Sequence, residues 1–279
     1  MAEQAGIASE LDEVQTDFRS LDGLRLSATW SAPPGQPRSA AILVHGGGVT
    51  RDEGGFFSRL AAGLRRAGIA SLRFDLRGHG RSHGRQEDLT LSAILNDISA
   101  AVTHIANLDG DGPVNVVGAS FGGGISGYFA AEHPELVRRL VLLNPLVNYK
   151  KRFIDEKPYW HDERIDHDAG EELTAHGFLA HSPSFKLGRP LLNELFYLRP
   201  DQAISKIQAP TLIIHGTKDT FIPVDSSRLL VQQIRGEARL VEIDGAQHGF
   251  AVHDDPQYLN PQTVEWQTFV IDEIADWLS

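Results

Sequence analysis

The sequence predicts an α/β fold built on a mostly parallel sheet of eight strands flanked by helices. Two observations carry this. Short, continuously apolar runs recur along the chain, and stretches with helical apolar spacing separate them. The run Ala40-Ala41-Ile42-Leu43-Val44 ends at His45-Gly46-Gly47-Gly48, as suits a strand buried on both faces of a parallel sheet. At 279 residues the chain is long enough to bury a full core.

Residues 14–19 and 24–30 alternate in polarity about Leu21-Asp22-Gly23, which reads as a β-hairpin and an antiparallel edge. Pro33-Pro34-Gly35-Gln36-Pro37 marks a turn, and 40–44 is the third strand. Residues 55–66 place Phe57, Leu60 and Leu64 at helical spacing, and 69–74 is the fourth strand. Asp88 is expected to cap a long helix whose Leu91, Ile94, Leu95, Ile98, Val102 and Ile105 share one stripe. Strand 114–117, helix 120–131 and strand 139–143 follow. A short helix at 201–206 then leads to strand 211–214, helix 226–234, strand 240–243 and a closing helix at 263–277.

Residues 146–200 break this rhythm, mixing charges, prolines and aromatics without a clean period. Structureless loops of that length are rare in compact domains, so an inserted lid or cap is expected there. The core is then 14–145 and 201–279, and residues 1–13 are expected to form a flexible tail.

Composition excludes several functions. The formal net charge of −11 argues against nucleic acid and anionic membranes, which need a basic face. No run approaches 18 apolar residues, so no membrane span is expected. The first residues lack the basic and apolar regions of a signal peptide, and a soluble, cytoplasmic protein is expected. Cysteine is absent, which excludes disulfides, a thiol nucleophile and thiolate metal sites.

Gly118-Ala119-Ser120-Phe121-Gly122 matches G-x-S-x-G between a predicted strand and a predicted helix. In that context a sharp turn strains the serine backbone and exposes its oxygen, while small residues two positions either side avoid collision. Gly118, Gly122 and Gly124 also fit a dinucleotide-binding loop. Against that, the motif follows the fifth strand, no Tyr-x-x-x-Lys pair exists, and the next strand ends in Leu143-Asn144-Pro145 without a carboxylate for a ribose. A serine nucleophile needs a base and an orienting acid. Asp219 and His248 both lie in loops beyond predicted parallel strands, the edge where such sheets place their sites. Asp225 and Asp244 compete with Asp219, and His253 competes with His248.

With these motifs in the order Ser…Asp…His, the chain resembles the α/β-hydrolase superfamily from about residue 14 to 277. It is most similar to the cinnamoyl/feruloyl esterase-like and serine aminopeptidase-like groups. It is less similar to hormone-sensitive-lipase-type esterases, which share the His-Gly-Gly-Gly run but usually carry Gly-Asp-Ser-Ala-Gly at the elbow. The resemblance implies Ser120 as nucleophile, His248 as general base then acid, and Asp219 as its orienter. It implies an oxyanion hole from the backbone N–H groups of Phe121 and Gly47, with Gly46 and Gly48 open as alternatives. The implied reaction is cofactor-free hydrolysis of a small-molecule carboxylic ester through an acyl-enzyme. A thioesterase, an amidase or aminopeptidase, and an acyltransferase would use the same triad. A receptor-like ligand-binding protein is the alternative from another class.

Other residues have structural readings. His45 and the loop Asp75-Leu76-Arg77-Gly78-His79 are expected to brace the site. His161 and His167 are spaced for different helix faces, so no metal is expected. The aromatics Tyr149, Phe153, Tyr159, Trp160, Phe178, Phe185, Phe196 and Tyr197 either clamp a substrate or form the insert's own core. Lys150-Lys151-Arg152 either attracts an anionic group or is simply solvated.

Overall fold

The computed structural model describes residues 13–279. The expected tail at 1–13 lies outside them except for Glu13, which opens the first strand. That strand, β1 (Glu13–Arg19), pairs antiparallel with β2 (Arg25–Ser31), and β2 pairs antiparallel with β4 (Ile69–Phe74). The remaining strands are β3 (Ser39–Val44), β5 (Val114–Ala119), β6 (Val137–Leu143), β7 (Thr211–Gly216) and β8 (Ala238–Ile243). With β4 they run parallel, and the whole sheet has the order β1-β2-β4-β3-β5-β6-β7-β8.

Successive residues of the central strands face opposite sides, and both sides are apolar. Ile42, Val116, Leu140 and Ile213 pack beneath α2 (Leu91–Asp109), α3 (Phe121–Glu132) and α4 (Asp225–Gln233). Leu43, Val117, Val141 and Leu212 pack against α1 (Phe56–Arg66) and α5 (Pro261–Leu278). Continuous apolar runs are therefore required, because neither face of the strand meets water.

Two expected boundaries move. The fifth strand continues through Gly118 and Ala119, which still pair with Leu142 and Leu143. Asp88 does not cap α2. The chain makes a 3-10 turn at Gln86–Asp88, held by Gln86 bonds to Ser184 O and Lys186 N, and Thr90 Oγ1 takes the cap by accepting the Ala93 N–H at 3.0 Å.

Residues 146–200 hold a π-helical turn (Lys151–Asp155), two small hairpins and two helices, His167–His176 and Arg189–Glu194. Their buried side chains continue the main apolar cluster. Tyr149, Phe153, Phe185, Leu187, Leu191 and Leu195 join Phe121 and Ile125 of α3. Glu194 accepts the Leu91 and Ser92 N–H groups, so this segment also caps α2. Among the described residues, no helix is long and apolar enough to cross a membrane.

A buried ion pair ties the loop after β4 to α2. Arg77 donates to both oxygens of Asp97, at 2.9 and 2.6 Å, and Asp97 is fully buried. Asp22 completes the arrangement from the β1–β2 turn. Removing one partner strands the other without solvation. Arg77→Ala is expected to cost about 3–5 kcal/mol, read as a lower urea midpoint.

Candidate active site

Ser120 is the single residue between β5 and α3, and its backbone sits at φ 50° and ψ −117°. A non-glycine residue there is strained and persists only when its surroundings enforce it. Here they do. Ser120 N–H donates to Leu143 O at 2.9 Å, and Ser120 O accepts from Leu146 and Gly123. The flanking glycines answer to packing. A methyl on Gly118 would lie 2.5 Å from Ser126 Oγ, and one on Gly122 would lie 2.5 Å from His45 O. Ser120 Oγ has no hydrogen-bond partner among the described residues.

Asp219 and His248 come together from the loops after β7 and β8. His248 Nδ1 donates to Asp219 Oδ2 at 2.6 Å. Asp219 Oδ1 accepts the Phe221 and Ile222 N–H groups at 2.8 and 2.9 Å, so both carboxylate oxygens are used. Burial alone would raise this carboxyl. The nearby His215 and His248 outweigh it and hold Asp219 well below the ordinary carboxylate range. The competitors are engaged elsewhere: Asp225 with Arg228, Asp244 with Thr217, and exposed His253 with Asp254.

The turn after β3 supplies N–H groups beside the elbow. Gly46 N–H donates to Glu53 Oε2 at 2.8 Å, and Gly48 N–H donates to His79 Nε2 at 3.1 Å. Gly47 N–H alone of the three lacks a partner among the described residues. His45 is fully buried and accepts the Leu76 N–H on Nε2 at 2.9 Å. Burial, then the neighbouring His79, pushes its imidazole down to about 3, which fixes a neutral bracing ring.

Sequence reasoning missed His215 and left the roles of Tyr149 and Phe185 open. His215 Nε2 donates to Ile222 O at 2.8 Å and its Nδ1 accepts from Ser227, which shapes the Asp219 loop. Tyr149 is fully buried, and its hydroxyl donates to Phe121 O. Phe185 packs on Phe121 with ring centroids 5.1 Å apart and closes over Gly47, where a methyl would meet its ring at 2.9 Å. A signal for His215 lay four residues before Asp219; Tyr149 and Phe185 stand among the aromatics named above, and the structure buries both in the main apolar cluster. Lys150 is tied to Asp155 and Glu163, while Lys151 and Arg152 share Glu156 at 3.7 and 3.9 Å. No group of three or more His, Asp or Glu among the described residues is placed to hold a metal.

A cavity of about 410 Å³ opens beside the site. Leu146, Val147, Phe221, Ile222, Leu229 and Leu230 line it, with Lys151, Arg152, Glu156 and Asp201 among its polar residues. Phe221 also packs on His248 with ring centroids 5.3 Å apart.

Residues 35–165 match a family model described as "Serine aminopeptidase, S33", and residues 195–271 match the "Dienelactone hydrolase family". A monoacylglycerol lipase from Mycolicibacterium smegmatis is 29% identical over 94% of this chain and 95% of its own length. Mouse (Mus musculus) monoglyceride lipase is 24% identical over 92% of this chain and 88% of its own. The structure of Est1E from Butyrivibrio proteoclasticus with ferulic acid bound superposes with a TM-score of 0.75. It is 25% identical and covers 92% of this chain and 99% of its own.

The Asp219 environment predicts a pH dependence of stability. Its folded-state ionisation is depressed, so its contribution is complete above the ordinary carboxylate value of about 3.9. The contribution is lost as pH falls below that. Asp219→Asn is expected to lower the urea midpoint at pH 7, with the gap to the parent protein narrowing below pH 4.

Proposed function

This chain belongs to the α/β-hydrolase superfamily, and from that premise we propose that it is a serine hydrolase of carboxylic esters working through an acyl-enzyme. The observation that carries the reading is the strained Ser120 at the N-terminus of α3, with the Asp219–His248 pair at the same sheet edge. Ser120 Oγ attacks the ester carbonyl. His248 has its Nδ1–H committed to Asp219, which leaves Nε2 as the base that receives the serine proton. Phe121 N–H and Gly47 N–H bind the oxyanion, and the N-terminus of α3 favours the developing charge. His248 then protonates the leaving alcohol and activates the water that releases the acid.

Support for an ester with an apolar acyl group comes from two sources. The cavity beside Phe221 and Leu146 has an apolar part formed by Val147, Ile222, Leu229 and Leu230, and polar and charged side chains line the rest. The similar proteins include monoacylglycerol lipases.

A fluorophosphonate probe is expected to label the protein and not Ser120→Ala; an unlabelled parent protein overturns the reading. Asp219→Asn should lower kcat on p-nitrophenyl esters by about 10⁴-fold, as loss of the orienting acid does in such triads. Activity confined to acyl-CoA thioesters or aminoacyl anilides would replace ester hydrolysis with thioester or amide hydrolysis.

A further inference from the structure

Glu53 has no part in the scheme above, yet its carboxylate is packed against the oxyanion turn. Its Oε2 accepts the Gly46 N–H at 2.8 Å. A methyl placed on Gly46 would lie 3.3 Å from both Glu53 Oε1 and Ser120 Cβ, so one small residue separates this carboxylate from the elbow. No Lys or Arg pairs with Glu53 among the described residues. Its backbone sits at φ 47°, a left-handed conformation that non-glycine residues adopt under constraint.

The groups that face Glu53 lie on and beside the turn that carries His248. Tyr258 lies between the two turns: a methyl on Gly54 would meet its ring at 2.9 Å, and one on Gly249 would meet its hydroxyl at 2.5 Å. Arg59 of α1 stacks over the Tyr258 ring at 5.8 Å and bonds Gln267 of α5. Gln267 Nε2 in turn donates to Gly249 O at 2.8 Å. The ionisable neighbours from packed elements are therefore His248 and Tyr258, with Arg59 and Asp255 behind the tyrosine. On its own segment, Asp52 is turned to Arg73 and Arg51 to Asp75.

We propose that Glu53 is a positioning residue shared by both halves of the site. It holds the Gly46–Gly48 turn so that Gly47 N–H is left for the oxyanion, and its negative charge favours the protonated His248 that forms as Ser120 attacks. This rests on the serine-hydrolase reading above.

The chemistry makes Glu53 sensitive to pH near neutrality. Burial pushes its carboxyl up to about 7, against the opposing pull of the Gly46 hydrogen bond and of His248. The folded protein thus holds this proton more tightly than the unfolded chain. Stability falls as pH rises from the ordinary glutamate value of about 4.3 towards 7. The charged form that serves the reaction is the less stable one. A residue retained only for folding would not show that opposition.

The test compares Glu53→Gln, which keeps an acceptor for Gly46 N–H, with Glu53→Ala in the full chain on a p-nitrophenyl ester from pH 5.5 to 9. Glu53→Gln is expected to lower kcat about 10–100-fold, as loss of a supporting carboxylate does in other sites, with KM little changed. The acid limb of log kcat/KM should become shallower by one ionisation. Its melting temperature at pH 8 should equal or exceed that of the parent protein. Glu53→Ala should lose more kcat than Glu53→Gln, and if it fails to fold, Glu53→Gln alone decides. Parent-like kcat in Glu53→Gln overturns the proposal, and so does a kcat loss with an unchanged pH profile and a lower melting temperature. A labelled, active parent with unaffected Glu53 variants overturns this inference alone. A parent protein that fluorophosphonate does not label overturns the serine-hydrolase reading and this inference together.

Discussion

The strained backbone of Ser120 is the constraint on which the other parts of the site depend. A residue at φ 50° and ψ −117° relaxes unless several independent contacts hold it. Leu143 O fixes its N–H, and Leu146 and Gly123 fix its carbonyl. Those bonds need β5 and β6 in register, and that register needs both faces of the sheet covered. The close packing of Gly122 on the Val44 and His45 carbonyls then sets how near the Gly46–Gly48 turn comes to the elbow. The architecture amounts to a means of keeping one peptide unit out of its preferred conformation.

The same logic explains the buried histidines around the site. His45, His79 and His215 each use ring nitrogens on backbone groups of loops that have no regular ladder of their own. Imidazole suits this because its two nitrogens can donate on one side and accept on the other. A charged ring could not accept the Leu76 N–H on His45 or the Gly48 N–H on His79, and burial keeps His45 in the form that can. His248, in contrast to these three, has a ring partly open to solvent and the buried Asp219 carboxylate on one nitrogen.

The fold was legible in the sequence because its signals are local. Apolar runs such as 40–44 announce strands buried on both faces, and the glycines at 118 and 122 announce a turn too tight for a side chain. The placing of Asp219 and His248 beyond two strand ends was equally visible, and the structure joins them at 2.6 Å. What escaped were contacts between residues far apart in the chain. Glu53 sits seven positions past Gly46 in an ordinary acidic stretch, and nothing local says that its carboxylate turns back. The Asp88 boundary failed because Gln86 bonds to residues nearly a hundred positions later. The insert's helices and hairpins lacked a clean period because their apolar residues face several surfaces at once.

The segment after β6 is held unevenly, and this bears on how such proteins diversify. Its second half is fastened: Glu194 caps α2, Lys186 N–H bonds Gln86, and a methyl on Gly188 would collide with Glu87 O. Its first half presents a hairpin whose tip, Asp162 and Glu163, takes left-handed backbone angles with both residues exposed. Length changes during descent would be absorbed at that tip, while the fastened half would resist them. Such insertions would leave Ser120 and the contacts that hold its backbone as inherited.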